Sequence, residues 1–166
     1  MFKKTTIPGI LGMLLIILAL LVKDPAHQRI LFLLGAAGMT LMALLEHHKL
    51  FIGLQTVIIS GTLTAFLPAS DTIKGAIPML VSLPVLYLLC HYRILNTKVK
   101  VLGAFALITL GVGYAVQHTL IFFLGGFLVT LFSFLEFRSG FRPAVLWMVL
   151  NLIFTLLAAY TLFTRI

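Results

Sequence analysis

The sequence predicts an all-α integral membrane protein of seven transmembrane helices, arranged three plus one plus three as two parallel three-helix repeats. Three observations predict it. Of the 166 residues, 61% are hydrophobic and only 10% are charged, and the mean hydropathy of +1.19 is far above that of a soluble domain. Seven apolar stretches, at about 7–22, 30–45, 50–67, 75–92, 101–116, 119–135 and 143–163, approach the roughly 20 residues that cross a bilayer. Finally, residues 30–51 recur at 120–141, with eight of 22 positions identical: Phe32/Phe122, Leu34/Leu124, Gly35/Gly125, Thr40/Thr130, Leu41/Leu131, Leu45/Leu135, Glu46/Glu136 and Phe51/Phe141. Hydrophobic bias produces Leu matches, but it does not readily pair Gly, Thr and Glu as well.

The first stretch follows Lys3 and Lys4 and looks like a signal peptide. It runs into Val22-Lys23-Asp24-Pro25 with no small-x-small cleavage site, so it is expected to be retained as a span. The second lies between the short loops Lys23–Arg29 and Glu46–Lys49. The third ends in the turn formers Pro68, Ser70 and Asp71. The fourth contains Pro78 and Pro84, which should kink it, and it has no copy elsewhere in the chain. The fifth repeats the first at a shift of 91, Leu11-Gly12 falling on Leu102-Gly103, and His27 falls on His118. The sixth is the copy of the second. The seventh opens at Pro143, where the missing N–H of a first helical turn costs little.

In lipid every backbone group needs a partner within its own segment, so the stretches must be helices. They lack the alternation of a membrane β-barrel. Short loops make sequential helices antiparallel near neighbours. Copies four spans apart share one orientation, as in parallel repeats whose axis lies along the membrane normal. The expected division is 1–67 for the first repeat, 68–100 for the linker helix with its flanking loops, and 101–166 for the second repeat.

The net charge of +8 does not indicate nucleic acid, because the basic residues are scattered through the loops and form no patch on a folded domain. They read as topology signals. Lys3, Lys4, Lys49, Arg93, Lys98, Lys100, Arg138 and Arg142 fall on one side, and Lys23, Arg29, Lys74 and Arg165 on the other. Eight against four favours a cytoplasmic N-terminus and an outside C-terminus. The single cysteine, Cys90, cannot form an internal disulfide and reads as a small apolar residue of the fourth span.

Few polar residues lie deep in the spans. Thr56, Ser60 and Thr64 share one helix face at i, i+4, i+8, as do Trp147, Asn151 and Thr155, and the two trios align at a shift of 91. Two such stripes across an axis would line a substrate path, with Asn151 close to mid-membrane and its carboxamide offering two donors and an acceptor. The alternatives are packing contacts between helices, hydroxyl bonds back to the helix's own carbonyls, and, for Trp147, an interfacial aromatic belt. Gln55 belongs to the same candidate path but falls nearer the interface, where a helix-to-helix contact is the simpler role. Glu46 and Glu136, symmetric acids at the cytoplasmic ends of their spans, are candidates for a paired gate or for headgroup-level ion pairs with Lys49, Arg138 and Arg142. His47-His48 lacks the further ligands a metal needs. Phosphate-loop, zinc-protease and nucleophile-elbow motifs are absent from the sequence, so neither an enzyme nor a cofactor is expected. Gly9, Gly12, Gly35, Gly38, Gly125 and Gly126 read as close-packing points between helices.

Three segments carry a resemblance: Gln28-Arg29-Ile30-Leu31, Leu54-Gln55-Thr56-Val57-Ile58 and Val149-Leu150-Asn151-Leu152-Ile153. They look similar to YgjV-like bacterial inner membrane proteins, and the three-plus-one-plus-three plan resembles the SWEET, PnuC and PQ-loop transporter superfamily. The Pro-Gln dipeptide of PQ-loop members does not occur in the sequence. The resemblance implies residence in the bacterial inner membrane and facilitated passage of a small solute. It also implies substrate contact at the third helix of a triplet, where Asn151 and Trp147 correspond, with Ser60 and Thr56 in the first triplet. Two functions follow as expectations: a facilitative transporter of a small, mostly neutral solute, or a non-transporting assembly or envelope-organising partner. The expected partners are the lipid bilayer and that solute, and a homo-oligomer is compatible with the pattern.

Overall fold

The computed structural model describes residues 4–141 and 144–164. Lys3, Arg142, Pro143 and Arg165, used above for topology and for the start of the seventh span, lie outside them. The described residues form seven α-helices and no strand: α1 Ile7–Leu21, α2 Pro25–Leu45, α3 Lys49–Thr64, α4 Asp71–His91, α5 Lys98–Val116, α6 Thr119–Arg138 and α7 Ala144–Thr164. A short 3-10 turn, Lys4–Thr6, leads into α1.

Five of these helices, α2, α4, α5, α6 and α7, are long and apolar enough to cross a membrane. The other two, α1 and α3, have 15 and 16 residues and are shorter than the spans expected at 7–22 and 50–67. At ~1.5 Å per residue each reaches roughly 23–24 Å, against a hydrocarbon core of ~30 Å. Local chemistry sets their ends. α1 stops where Asp24 and Pro25 begin α2: Pro25 takes the first helical position, and the Asp24 carboxylate accepts the His27 backbone N–H at 2.9 Å. α3 stops at Thr64, four residues before Pro68, although the apolar run continues to Leu67; a proline pushes the residue before it out of helical conformation. α5 is capped by Thr97, whose hydroxyl accepts the Lys100 N–H at 3.3 Å. α4 runs unbroken through Pro78 and Pro84.

Six helices close a ring. α1 packs on α2, α2 on α3, α3 on α5, α5 on α6, α6 on α7, and α7 returns to α1 over the least extensive of these contacts. α4 lies outside the ring, against α3 and α5. At one end, the Arg29 side chain of α2 reaches Gln117 at the close of α5 (Nε to Oε1, 3.5 Å).

Two seams are made by glycine. A Cβ on Gly12 of α1 would stand 2.6 Å from the Gly35 carbonyl oxygen of α2, and one on Gly61 of α3 would stand 2.0 Å from that of Gly111 in α5. Backbones approach this closely only where no side chain intervenes.

Residue by residue, 30–44 and 120–134 share one pattern of buried, half-buried and exposed positions. At a shift of 90, the buried positions Ala144, Trp147, Asn151, Phe154 and Thr155 of α7 fall on Leu54, Val57, Gly61, Thr64 and Ala65, all buried, while buried Ala158 falls on exposed Pro68. The expected shift of 91 between the third and seventh helices would set buried Trp147 on exposed Thr56. For α1 and α5 the shift of 91 does match: Gly12, Met13, Ile16 and Ala19 fall on Gly103, Ala104, Leu107 and Leu110, every one buried.

Candidate functional site

The centre of the ring holds a small cavity lined from all six helices. α1 contributes Met13 and Ile16, α2 Met39, α3 Gln55 and Ile58, α5 Leu107, Leu110 and Tyr114, α6 Val129, and α7 Trp147 and Asn151. Its volume is about 20 Å³, room for about one water. No charged residue lines it.

Aromatic clusters close both ends. Phe32, Tyr114 and Phe122 form a mutual triad with ring centroids 4.9, 5.3 and 5.4 Å apart. At the other end Phe51 packs on Trp147 at 4.5 Å, on His48 at 4.6 Å and on Phe132 at 5.8 Å. His48 also meets Phe141 at 5.4 Å. Each cluster contributes one ring, Tyr114 or Trp147, to the cavity wall. The closures join residues that are identical at the shift of 90: Phe32 touches Phe122 directly, and His48 bridges Phe51 and Phe141.

Gln55 is the most informative polar group. Its side chain is 2% exposed, it lines the cavity, and its Oε1 has no hydrogen-bond partner. A buried carbonyl left unpaired costs on the order of 1–3 kcal/mol. Such an atom is kept where something else visits it, or where a water serves it. Asn151, 4% exposed, lines the same cavity from α7 and donates from Nδ2 to the Trp147 carbonyl at 2.8 Å. Trp147 is buried against Phe51, inside the bundle.

The remaining candidates lie elsewhere. Thr155 is buried and donates to the Asn151 carbonyl at 2.7 Å. Thr64 is buried too, donating to Ser60 O at 2.5 Å, and half-buried Ser60 donates to Val57 O at 2.7 Å. Thr56 is exposed, bonds to Ile52 O at 3.2 Å, and lines an outer groove against α4. Thr56 and Ser60 are not among the residues that line the central cavity, which corrects their expected place beside Asn151. On α3 the inward face runs through Gln55 and Ile58, one position round from the hydroxyl stripe. The hydroxyls are satisfied by their own helix instead.

Glu46, half-buried, lines a small pocket with Met42, His48, Phe51, Phe141 and Trp147, beneath the aromatic closure of that end. Glu136 is half-buried in the last turn of α6. The neighbouring Arg138 stands over the Phe134 ring, 6.0 Å from its centroid. His48 accepts the Phe51 N–H through Nδ1 at 3.5 Å, capping α3. Burial, with a smaller contribution from Lys100, holds its imidazole below the ordinary histidine range.

Sequence reasoning undervalued Gln55 and passed over Tyr114, Met13 and Met39. Gln55 was the recoverable one: an amide within an apolar run, one residue from a satisfied threonine. Tyr114 carries no sequence mark that separates it from packing. The chain matches no protein-family model, no curated protein and no solved structure.

Proposed function

We propose that the protein is a facilitative transporter of a small, mostly neutral solute across the bacterial inner membrane, with the central cavity as its substrate site in an occluded state. The observation that carries this reading is the cavity itself. Six helices converge on a chargeless pocket that holds two buried carboxamides, one with an unpaired acceptor. An uncharged wall disfavours ions and suits a neutral solute with at least one N–H or O–H donor for Gln55 Oε1. Proton coupling through Glu46 or Glu136 finds no support, because neither lines the cavity.

The ring is read as two parallel repeats, α1–α3 and α5–α7, about an axis along the membrane normal, with α4 as linker. The matching burial of 30–44 and 120–134 supports this, as does the ring order, in which each helix lies opposite its copy. The repeats differ where motion is needed. The α3–α5 seam is welded by Gly61 against Gly111. Its counterpart, α7–α1, carries Asn151 in place of Gly61 and is the lightest contact of the ring. We assign opening to the α7–α1 seam, next to Trp147 and the flexible thioethers of Met13, Met39 and Met42. The charge asymmetry supports a cytoplasmic N-terminus.

One observation favours the alternative, a non-transporting assembly partner. The cavity is only about 20 Å³, and Asn151 Nδ2 is used within its own helix, as in a bundle packed for its own sake. Thermal melts of the purified protein across a panel of neutral polyols, amides and nucleosides separate the two. A transporter is stabilised by a subset of them in proportion to concentration. A bundle with no solute site shows one melting temperature throughout.

A further inference from the structure

We propose that the outer groove between α3 and α4 is a site for one anionic phospholipid, its phosphate on Lys49 and one acyl chain lying along the groove. The groove has a volume of about 400 Å³, within the roughly 300–1,000 Å³ of ligand sites and far larger than the central cavity. It is apolar along its length, through Val85 and Leu88 of α4, and polar at one end, where Lys49 begins α3 and Tyr92 follows α4. Gly53 opens its floor: a Cβ there would already stand 3.2 Å from Val85. From Lys49 to Thr56 at the deep end the groove descends seven residues, roughly 10 Å at 1.5 Å per residue. A cation at the helix end above an apolar trough matches an amphiphile with a charged head.

The charge fixes its sign. Lys49 is exposed and forms no ion pair among the described residues, and no acid lines the groove. The same end of the bundle carries Arg93, Lys98, Lys100 and Arg138, which reinforces an anionic preference. The groove faces away from the ring, so its occupant comes from the bilayer. This proposal does not depend on transport.

Native mass spectrometry of the protein released from nanodiscs of equal parts phosphatidylglycerol and phosphatidylcholine tests it. One retained phosphatidylglycerol per chain is expected, favoured over phosphatidylcholine about fivefold or more for each engaged cation. Lys49→Gln should bring that preference down by about the same factor, while Lys74→Gln, at the opposite end, leaves it unchanged. Leu88→Trp, at a residue already 49% exposed, should fill the groove and remove the retained lipid of either headgroup. Equal retention of both lipids by the unaltered protein overturns the proposal. So does a lipid-free dimer that Leu88→Trp dissociates, which would make the groove an interface between copies.

Discussion

Gly61→Ala should separate α3 from α5. The added Cβ would lie 2.0 Å from the Gly111 carbonyl oxygen, about 1.4 Å short of ordinary contact at 3.4 Å. The obstacle is backbone, so no rotamer change relieves it and the helices must part. Overpacking of this kind costs about 1–3 kcal/mol, and the backbone contact places it near the upper end. Alanine returns about 1 kcal/mol through helix propensity. The net loss of about 2 kcal/mol corresponds to a melting temperature lower by about 4–8 °C for a chain of this size. Two companions grade the effect. Gly111→Ala meets Val57 Cγ1 at 3.0 Å and should lose less; Gly53→Ala meets only side-chain carbons, the nearest at 3.2 Å, and should match the parent or exceed it. Melting by fluorescence-detected gel filtration in one detergent ranks all three. If Gly61→Ala melts with the parent or above Gly53→Ala, the α3–α5 seam is not packed as described.

Other consequences are measurable. The His48 pKa is held below its ordinary 6.5 by burial, so the unfolded chain takes up that proton first as pH falls. The contribution of His48 to stability is flat above about pH 6.5 and declines below it. The melting temperature should drop between about pH 7 and pH 5, and His48→Gln should flatten part of that drop. In a Cys90→Ala background, cysteines at Lys98 and Arg138 should be shielded from a membrane-impermeant maleimide in intact cells, and one at Lys74 should be labelled; labelling at 98 but not 74 would reverse the orientation.

The helices were legible because each is an apolar run ended by charge, proline or a cap. Asp24-Pro25 marks such a boundary in the sequence, and the structure uses it; the Thr97 cap of α5 emerges only in the structure. Lengths were harder. α3 ends before its apolar run does, since the turn 65–69 is written in apolar letters up to Pro68. The glycines at 12, 35 and 38 were legible as packing points, whereas Gly61 against Gly111 was not, because that contact joins segments 50 residues apart. The polar stripe was misplaced by one position. A satisfied threonine and an unsatisfied glutamine look equally polar in a sequence, and only packing shows that Thr56 turns out to α4 while Gln55 turns to the centre.

Whether the cavity at Gln55 and Asn151 receives a solute is decided by Gln55→Leu. Leucine is close in size and removes the buried, unpaired Oε1, so a purely structural role predicts no loss of function. Opposite signs are expected in two measurements on this one variant. The melting temperature is unchanged or higher, by up to the equivalent of about 1–3 kcal/mol for the unpaired group. Uptake into proteoliposomes of whichever solute stabilises the parent protein falls at least several-fold. Lower stability with undiminished uptake would contradict the account and return Gln55 to the packing of the bundle.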